Sequence, residues 1–282
     1  MKRVLIVVVL VLIAGIAGIV RSHSRGGSYM PGLASQNASG ETRDEIRKTY
    51  ELAPGAQVEI GGINGAVKIE TADTRTAEVY IERIGASSDS LNRRKINIDA
   101  NADSLKIYGT KGDVGFFARL FGSNPSERVT LKLPRQISLK AKGVNGAVTV
   151  GEIEGAVEVH GINGRVQVAG ASGVEIKGIN GNIQVGLKKL DSDEVSFSGV
   201  NGNIELQLSD GLNASLETHG MNGRVVSELS EVKVEEVGRH GEYTARIGSG
   251  GNAISAKGIN GNIRLSRPTT AVPVTAAATS VN

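Results

Sequence analysis

A four-residue motif, Gly-[Ile/Val/Met]-Asn-Gly, recurs along this chain and constrains its fold more than any other feature. Successive copies from the second onward begin 18, 17, 21, 21 and 38 residues apart, and the last interval equals two periods of 19 with one copy lost. A period near 20 residues is typical of solenoids, in which each repeat forms one coil. The copies begin at Gly62, Gly143, Gly161, Gly178, Gly199, Gly220 and Gly258.

Short segments with apolar residues at every second position follow the motif, as at Val166 and Val168 and at Ile183 and Val185. That period indicates half-buried β-strands. Asn and Gly tolerate positive φ, so the motif can form a sharp corner whose apolar residue points inward. Stacked coils lie about 4.8 Å apart, so their asparagines can form a hydrogen-bonded ladder. The predicted corner asparagines are Asn64, Asn145, Asn163, Asn180, Asn201, Asn222 and Asn260.

These patterns predict an all-β fold, a single-stranded β-solenoid (β-helix) with Gly-Ile-Asn-Gly corners. It would have irregular β coils at its N-terminal end and a short Phe-rich helical insertion. A meander of hairpins is the alternative, because Asn-Gly between alternating strands also favours type I′ turns. We expect a signal peptide or N-terminal membrane anchor (1–20), a flexible tether (21–48), an N-terminal β segment (49–109), the Phe-rich insertion (110–127), the solenoid repeats (128–266) and a disordered tail (267–282).

The first twenty residues read MKRVLIVVVLVLIAGIAGIV, two basic residues followed by 17 uninterrupted apolar ones at 4–20. This pattern is typical of a secretory signal, with small residues at Gly15 and Ala17 before a cut. An uncleaved anchor is the alternative, since 17 helical residues span about 25 Å. We therefore expect an exported protein that is periplasmic, at the cell surface or anchored by this segment. The chain has no cysteine, so no disulfide can stabilise it.

The charge balance and the residue types exclude several functions. Apart from Lys2 and Arg3, the chain carries 30 basic and 29 acidic side chains, whereas nucleic-acid binding needs a concentrated basic field. The four histidines do not have metal-ligand spacing, and a G-x-S-x-G nucleophile motif is absent. We expect a non-enzymatic protein without cofactor or metal that does not bind nucleic acid.

The position just before the motif is mostly basic and includes Lys142, His160, Lys177, His219 and Lys257. If the coils stack in register, these side chains form a column along one edge. The column could be a solvated edge that keeps the protein soluble. It could instead be a weak groove for anionic polymers, such as polysaccharide, or for lipid head groups.

Residues 110–127, TKGDVGFFARLFGSNPSE, contain most of the phenylalanine in the chain. Phe117, Leu120 and Phe121 share one face at helical spacing, and Phe116 lies beside them. This segment is predicted to be a short helix that caps the solenoid. The alternative is an exposed apolar tip that docks on a membrane or an envelope protein.

Several segments, among them APGAQVEIGGINGAVKIETAD and IGSGGNAISAKGINGNIRL, resemble the bacterial putative-adhesin β-strand-repeat family, a domain of unknown function. They are also similar to the head-GIN adhesin domain. The resemblance covers about residues 50–266 and implies an exported β-solenoid of the cell envelope. The chain departs from the family pattern in the motif missing between Asn222 and Asn260 and in the Phe-rich insertion.

The function favoured by these observations is a non-enzymatic envelope adhesin or scaffold that makes many weak contacts along a rigid face. One alternative is an envelope-stress or regulatory module that docks a membrane partner through the Phe-rich insertion. Another is a β-helix polysaccharide lyase or hydrolase, which would need clustered carboxylates or a base in a cleft.

Replacing Phe117 and Phe121 by Ala distinguishes a cap from a docking tip. For a cap, each buried phenylalanine should contribute about 3–5 kcal/mol to the free energy of unfolding, so thermal melting should shift sharply downward. For a docking tip, the melting temperature should stay unchanged and binding to vesicles should weaken. An unshifted midpoint would contradict the cap.

Overall fold

The computed structural model describes residues 41–112, 124–188, 190, 194–238 and 240–268. Within these ranges the protein is almost entirely β-structure, with one short helix, α1 (Ser88–Asn92). The strands are β1 (Thr42–Glu51), β2 (Ala56–Gly61), β3 (Gly65–Ala72), β4 (Thr76–Gly85), β5 (Arg94–Asn101), β6 (Ser104–Lys111), β7 (Ser126–Pro134), β8 (Ile137–Lys142), β9 (Val148–Glu152), β10 (Ala156–Asn163), β11 (Val166–Ala171), β12 (Gly173–Asn180), β13 (Ile183–Leu187), β14 (Val195–Asn201), β15 (Ile204–Leu208), β16 (Ala214–His219), β17 (Val225–Ser227), β18 (Val234–Glu236), β19 (Tyr243–Ile247), β20 (Asn252–Asn260) and β21 (Ile263–Ser266).

The strands form two large mixed sheets. The first sheet has ten strands in the order β1-β4-β7-β3-β9-β11-β13-β15-β21-β17. The second sheet has eleven, in the order β18-β19-β16-β20-β14-β12-β10-β8-β2-β6-β5. Buried Val, Ile and Leu side chains from both sheets form one hydrophobic cluster. The all-β prediction is therefore confirmed.

The Asn-Gly motif joins a strand of the second sheet to a strand of the first. Strand β10 pairs in parallel with β8 and β12, whereas β11, which follows its motif, pairs in parallel with β9 and β13. The strands on either side of this motif are thus not paired with each other, and the hairpin alternative is wrong. Register is kept from coil to coil on both sides of the motif, with one irregularity between β11 and β13 after Val168. The predicted core residues Val166, Val168, Ile183 and Val185 are all buried.

The two ends of the stack differ from a regular solenoid. At the N-terminal end, β1 pairs antiparallel with β4, β4 with β7, and β5 with β6. At the C-terminal end, β19 pairs antiparallel with β16 and β18. A single-stranded solenoid over all of residues 128–266 is therefore not confirmed. Strand β1 begins at Thr42, so the last residues of the predicted tether belong to the first sheet.

The order of the coils differs from the order of the sequence between Asn222 and Asn260, where a copy of the motif is missing. The chain there forms β17, β18 and β19, and then returns into the stack. Strand β20 lies between β14 and β16, and β21 lies between β15 and β17. The first coil is placed in the same way, since β2 lies between β6 and β8 and β3 between β7 and β9.

The two glycines of the motif copy at Gly178 have different roles. Gly178 has a φ of 64° in the left-handed region, but a Cβ there would meet other atoms no closer than 3.8 Å. At Gly181 a Cβ would lie 2.2 Å from the carbonyl oxygen of Gly164 in the next coil. The first glycine permits the turn, and the second permits the close approach of two coils.

Alanine substitutions should separate these two roles. Gly178→Ala should lower the free energy of unfolding by about 1–2 kcal/mol, the cost of a left-handed non-glycine residue. Gly181→Ala should cost more, because the added methyl group meets backbone that cannot move without breaking the coil pairing. Urea unfolding of both variants measures the difference. Equal losses would contradict a packing role for Gly181.

Candidate functional site

A ladder of asparagine side chains runs along the corner where the motif joins the two sheets. The Nδ2 of each asparagine donates to the Oδ1 of the preceding one in the stack, at 3.0–3.2 Å. At one end Asn64 Nδ2 donates to the carbonyl oxygen of Pro125, at 2.9 Å. The predicted ladder is therefore present, in the spatial order Asn64, Asn145, Asn163, Asn180, Asn201, Asn260 and Asn222.

A second set of asparagines follows the second glycine of three motifs. The Oδ1 of Asn182 accepts a hydrogen bond from the backbone N–H of Asn203, at 3.0 Å. The Oδ1 of Asn203 accepts one from the backbone N–H of Asn262, at 2.9 Å. Asn262 in turn accepts the backbone N–H of Arg224, at 3.1 Å. Sequence reasoning missed this ladder, although the recurring Gly-Asn-Ile after the motif was a visible sign of it.

The side chains predicted to form a basic column do come together. The residues before the motif are paired in register from coil to coil, although Lys257 precedes His219 because β20 lies inside the stack. Ser198 takes the equivalent place in β14. In spatial order the column contains Gly61, Lys142, His160, Lys177, Ser198, Lys257 and His219.

We define the corner strip as three adjacent columns. They are the column before the motif, the asparagine ladder, and the column after the second glycine, which contains Ala66, Ala147, Arg165, Asn182, Asn203, Asn262 and Arg224. Most of these residues are exposed. The strip combines Lys and Arg side chains with amides, and none of its members is Asp or Glu.

Carboxylates beside the strip neutralise part of it. Lys142 pairs with Glu59, and Lys177 Nζ lies 2.5 Å from Glu175 Oε1. His160 Nε2 lies 3.1 Å from the same carboxylate oxygen. The basic residues of these pairs lie in the second, third and fourth of the seven coils that carry the motif.

Arg165, Arg224 and Lys257 have no carboxylate partner among the residues that the structure describes. All three are exposed. Lys257 and Arg224 lie in the last two coils of the stack, whereas Arg165 lies in the coil between those of Lys142 and Lys177.

The pKa values of the flanking carboxyl groups reflect this pairing. The hydrogen bond from Lys142 lowers the pKa of Glu59, against the opposing effect of partial burial. The hydrogen bond from Lys177 lowers the pKa of Glu175, and the charge of Lys177 and the contact with His160 add to that effect. Both carboxylates therefore remain ionised at neutral pH.

The predicted cap or docking residues Phe116, Phe117, Leu120 and Phe121 lie outside the described residues. In the part of the chain that the structure does describe, no group of three His, Asp or Glu side chains is placed to hold a metal ion. A search of the same residues finds no helix with the length and apolar character needed to cross a membrane.

Several solved structures of adhesion proteins are similar to this chain. A putative cell adhesion protein from Clostridium sporogenes has 10% identity, covers 80% of this chain and 100% of its own, and has a TM-score of 0.44. A putative adhesin from Parabacteroides merdae has 13% identity, covers 78% of this chain and 95% of its own, and has a TM-score of 0.35. A putative adhesin from Parabacteroides distasonis has 14% identity, covers 79% of this chain and 97% of its own, and has a TM-score of 0.36. At these identities and TM-scores the similarity says nothing about binding or activity.

No protein-family model matches the chain, and no curated protein matches it in sequence. The resemblance to the head-GIN adhesin domain is therefore not supported by a family model.

Replacing Lys177 by Met should raise the pKa of Glu175 towards its ordinary value, because the main hydrogen bond to the carboxylate is lost. Since the pKa of Glu175 is lowered in the folded state, the pair stabilises the fold above the unfolded-state pKa, and this contribution disappears as the pH falls through the folded-state pKa. NMR titration of the Glu175 carboxyl carbon measures the shift. Lys257→Met is the matched control and should leave Glu175 unchanged, and an unmoved pKa in Lys177→Met would contradict the pairing.

Proposed function

We propose that this protein is an exported, non-enzymatic component of the cell envelope that binds an extended anionic polymer, such as an acidic polysaccharide, along the corner strip. The parallel coils of residues 137–208 would form a short solenoidal rod that holds the strip straight. The apolar segment at residues 1–20 supports export, and the repeated motif supports the adhesin or scaffold role.

The composition of the corner strip is the observation that carries this proposal. Its cationic and amide side chains repeat at the spacing of stacked strands, about 4.8 Å, and carboxylates are confined to its flank. A linear polymer with a negative group on many of its units could contact several coils at once. Each contact would be weak, but contacts along one rigid support act together.

An enzymatic function has less support among the described residues. One surface hollow of about 350 Å³ is lined by Ser209, Asp210, Arg267 and Pro268. Its carboxylate is paired with Arg267, with 3.1 Å between Asp210 Oδ1 and Arg267 Nη1. Glycoside hydrolysis uses two carboxyl groups that flank the sugar bond, and this hollow is lined by one. A second hollow, of about 270 Å³, is lined by two carboxylates, Asp73 and Glu154, but Asp73 is paired with Arg135, with 3.1 Å between Oδ1 and Nε.

Docking on a membrane surface is the second candidate, and one contact favours it. The carbonyl oxygen of Pro125, which belongs to the predicted insertion, accepts the hydrogen bond of Asn64 at the end of the ladder. The predicted apolar residues Phe116, Phe117, Leu120 and Phe121 precede Pro125 by four to nine residues in the sequence. Basic groups together with apolar groups suit an anionic lipid surface.

Reversing charge on the strip should abolish binding to an anionic polymer. In the strip variant, Arg165, Arg224 and Lys257 are changed to Glu. We expect retention of the wild type on immobilised polygalacturonate at low salt, and no retention of the strip variant. Exposed substitutions usually change stability by about 0.5 kcal/mol or less, so thermal melting should confirm that the variant is folded.

The matched control carries the same charge change at exposed lysines outside the strip, with Lys48, Lys95 and Lys233 changed to Glu. It should remain bound to polygalacturonate. Equal loss in both variants would mean that net charge alone governs retention, which contradicts a binding strip. Binding to vesicles of phosphatidylcholine and phosphatidylglycerol, with no retention on polygalacturonate, would favour the membrane candidate instead.

A further inference from the structure

The coil that comes last in the sequence, β20–β21, occupies a slot between two coils that precede it in the chain. Ile254 of β20 is paired with Val195 of β14 on one side and with Leu216 of β16 on the other. Ile263 of β21 is likewise paired with Ile204 of β15 and with Val225 of β17. Both strands therefore use both of their hydrogen-bonding edges inside the slot.

The last coil is also a full part of the core. Ile254, Ala256, Ile259, Ile263 and Leu265 are at most 1% exposed. If the slot were empty, its walls would expose apolar side chains and unpaired backbone groups on four strand edges, those of β14, β15, β16 and β17. Such edges are templates for pairing with another chain.

Both walls of the slot, β14–β15 and β16–β17, precede β20–β21 in the sequence. The coil therefore enters the stack between two segments that come before it in the chain, and β17 gains its only partner among the described strands, β21, when it does. The wall coils carry the motif at Gly199 and Gly220 and are shaped to accept a coil with the same motif. The slot therefore recognises the coil through a pattern that every copy of the chain contains.

The segment that connects the coil to the preceding strand has the properties of a hinge. Residues 248–251, Gly-Ser-Gly-Gly, connect β19 to β20, and Gly248, Gly250 and Gly251 all have positive φ. Polar contacts hold the segment. Ser249 N–H donates to Asn213 Oδ1 at 2.8 Å, and the carbonyl oxygen of Ser249 accepts from Arg246 at 2.6 Å.

We propose that coil β20–β21 is exchangeable between molecules, so that the coil of one copy fills the slot of a second copy. The contacts inside the slot are the same whether the coil comes from the same chain or from a partner, and only the path of the hinge differs. Exchange of an identical element is a low-cost route to dimers, and it is characteristic of repeat proteins. This inference is independent of the corner strip and of the proposed ligand.

Single cysteines can detect the exchange, because the natural chain has none. Ser196 of β14 and Ser255 of β20 are directly paired and half-exposed. Adjacent strands bring Cα atoms within the range that a disulfide needs, about 4.4–6.8 Å. A double variant, Ser196→Cys with Ser255→Cys, should form an intramolecular disulfide and so verify the register.

The test mixes two full-length chains, one with Ser196→Cys and one with Ser255→Cys, and refolds them together from denaturant at high concentration under mild oxidation. A covalent heterodimer requires that β20 of one molecule lie beside β14 of the other. The matched control replaces the Ser255→Cys chain by one with Ser138→Cys, a half-exposed serine on β8 that lies away from β14.

We expect several-fold more heterodimer from the Ser196 and Ser255 pair than from the control pair, with a yield that rises with protein concentration during refolding. Size-exclusion chromatography should show the product as a folded dimer. A yield no higher than that of the control pair, with the double variant correctly cross-linked, would overturn the proposal.

Discussion

The structure depends on how closely neighbouring coils approach each other at the Asn-Gly corner. At Gly181 the carbonyl oxygen of the next coil lies where a side chain would begin, so only glycine fits. This approach keeps the parallel strands on both sides of the corner in register. It also brings the asparagine side chains within hydrogen-bonding distance of one another, as between Asn180 and Asn163. The ladder is therefore a consequence of backbone packing as much as a cause of it.

Constant register turns one position of the repeat into a line of side chains. Lys142, His160 and Lys177 lie next to one another because each occupies the position before its motif, although they are far apart in the chain. The surface chemistry of an edge is then determined by the residue type at one position of each coil. The carboxylates beside the strip follow the same rule, and their pairing with Lys142 and Lys177 leaves Arg165, Lys257 and Arg224 as the unpaired cations of the strip among the described residues.

A stack of parallel coils has open sheet edges at both ends. Three of the four sheet edges in the described structure end in antiparallel strands, β1, β5 and β18, and the fourth ends in β17, which pairs in parallel with β21. Strand β1 covers one edge and carries alternating charges, among them Arg47 and Glu45, which discourage pairing with another chain. At the other end the edge strands β17 and β18 are only three residues long. The first and last coils lie inside the stack, so the outer positions are taken by coils with irregular connections. With this arrangement of the ends, the order of the coils in the stack differs from their order in the sequence.

The sequence by itself determined the repeat, the all-β class, the buried alternating residues and the column of corner asparagines, because each follows from a period that local chemistry imposes. It also indicated which side chains would share the basic column. Only the tertiary structure decided the order of the coils, because the motif that β20 carries does not determine which strands lie on either side of it. The same is true of the pairing of Glu175 with Lys177 and His160, and of the antiparallel ends. Because the repeats share one motif, the structure of each coil is predictable from the sequence. Which coils lie next to each other is not predictable, because that is decided only when all coils pack into one core.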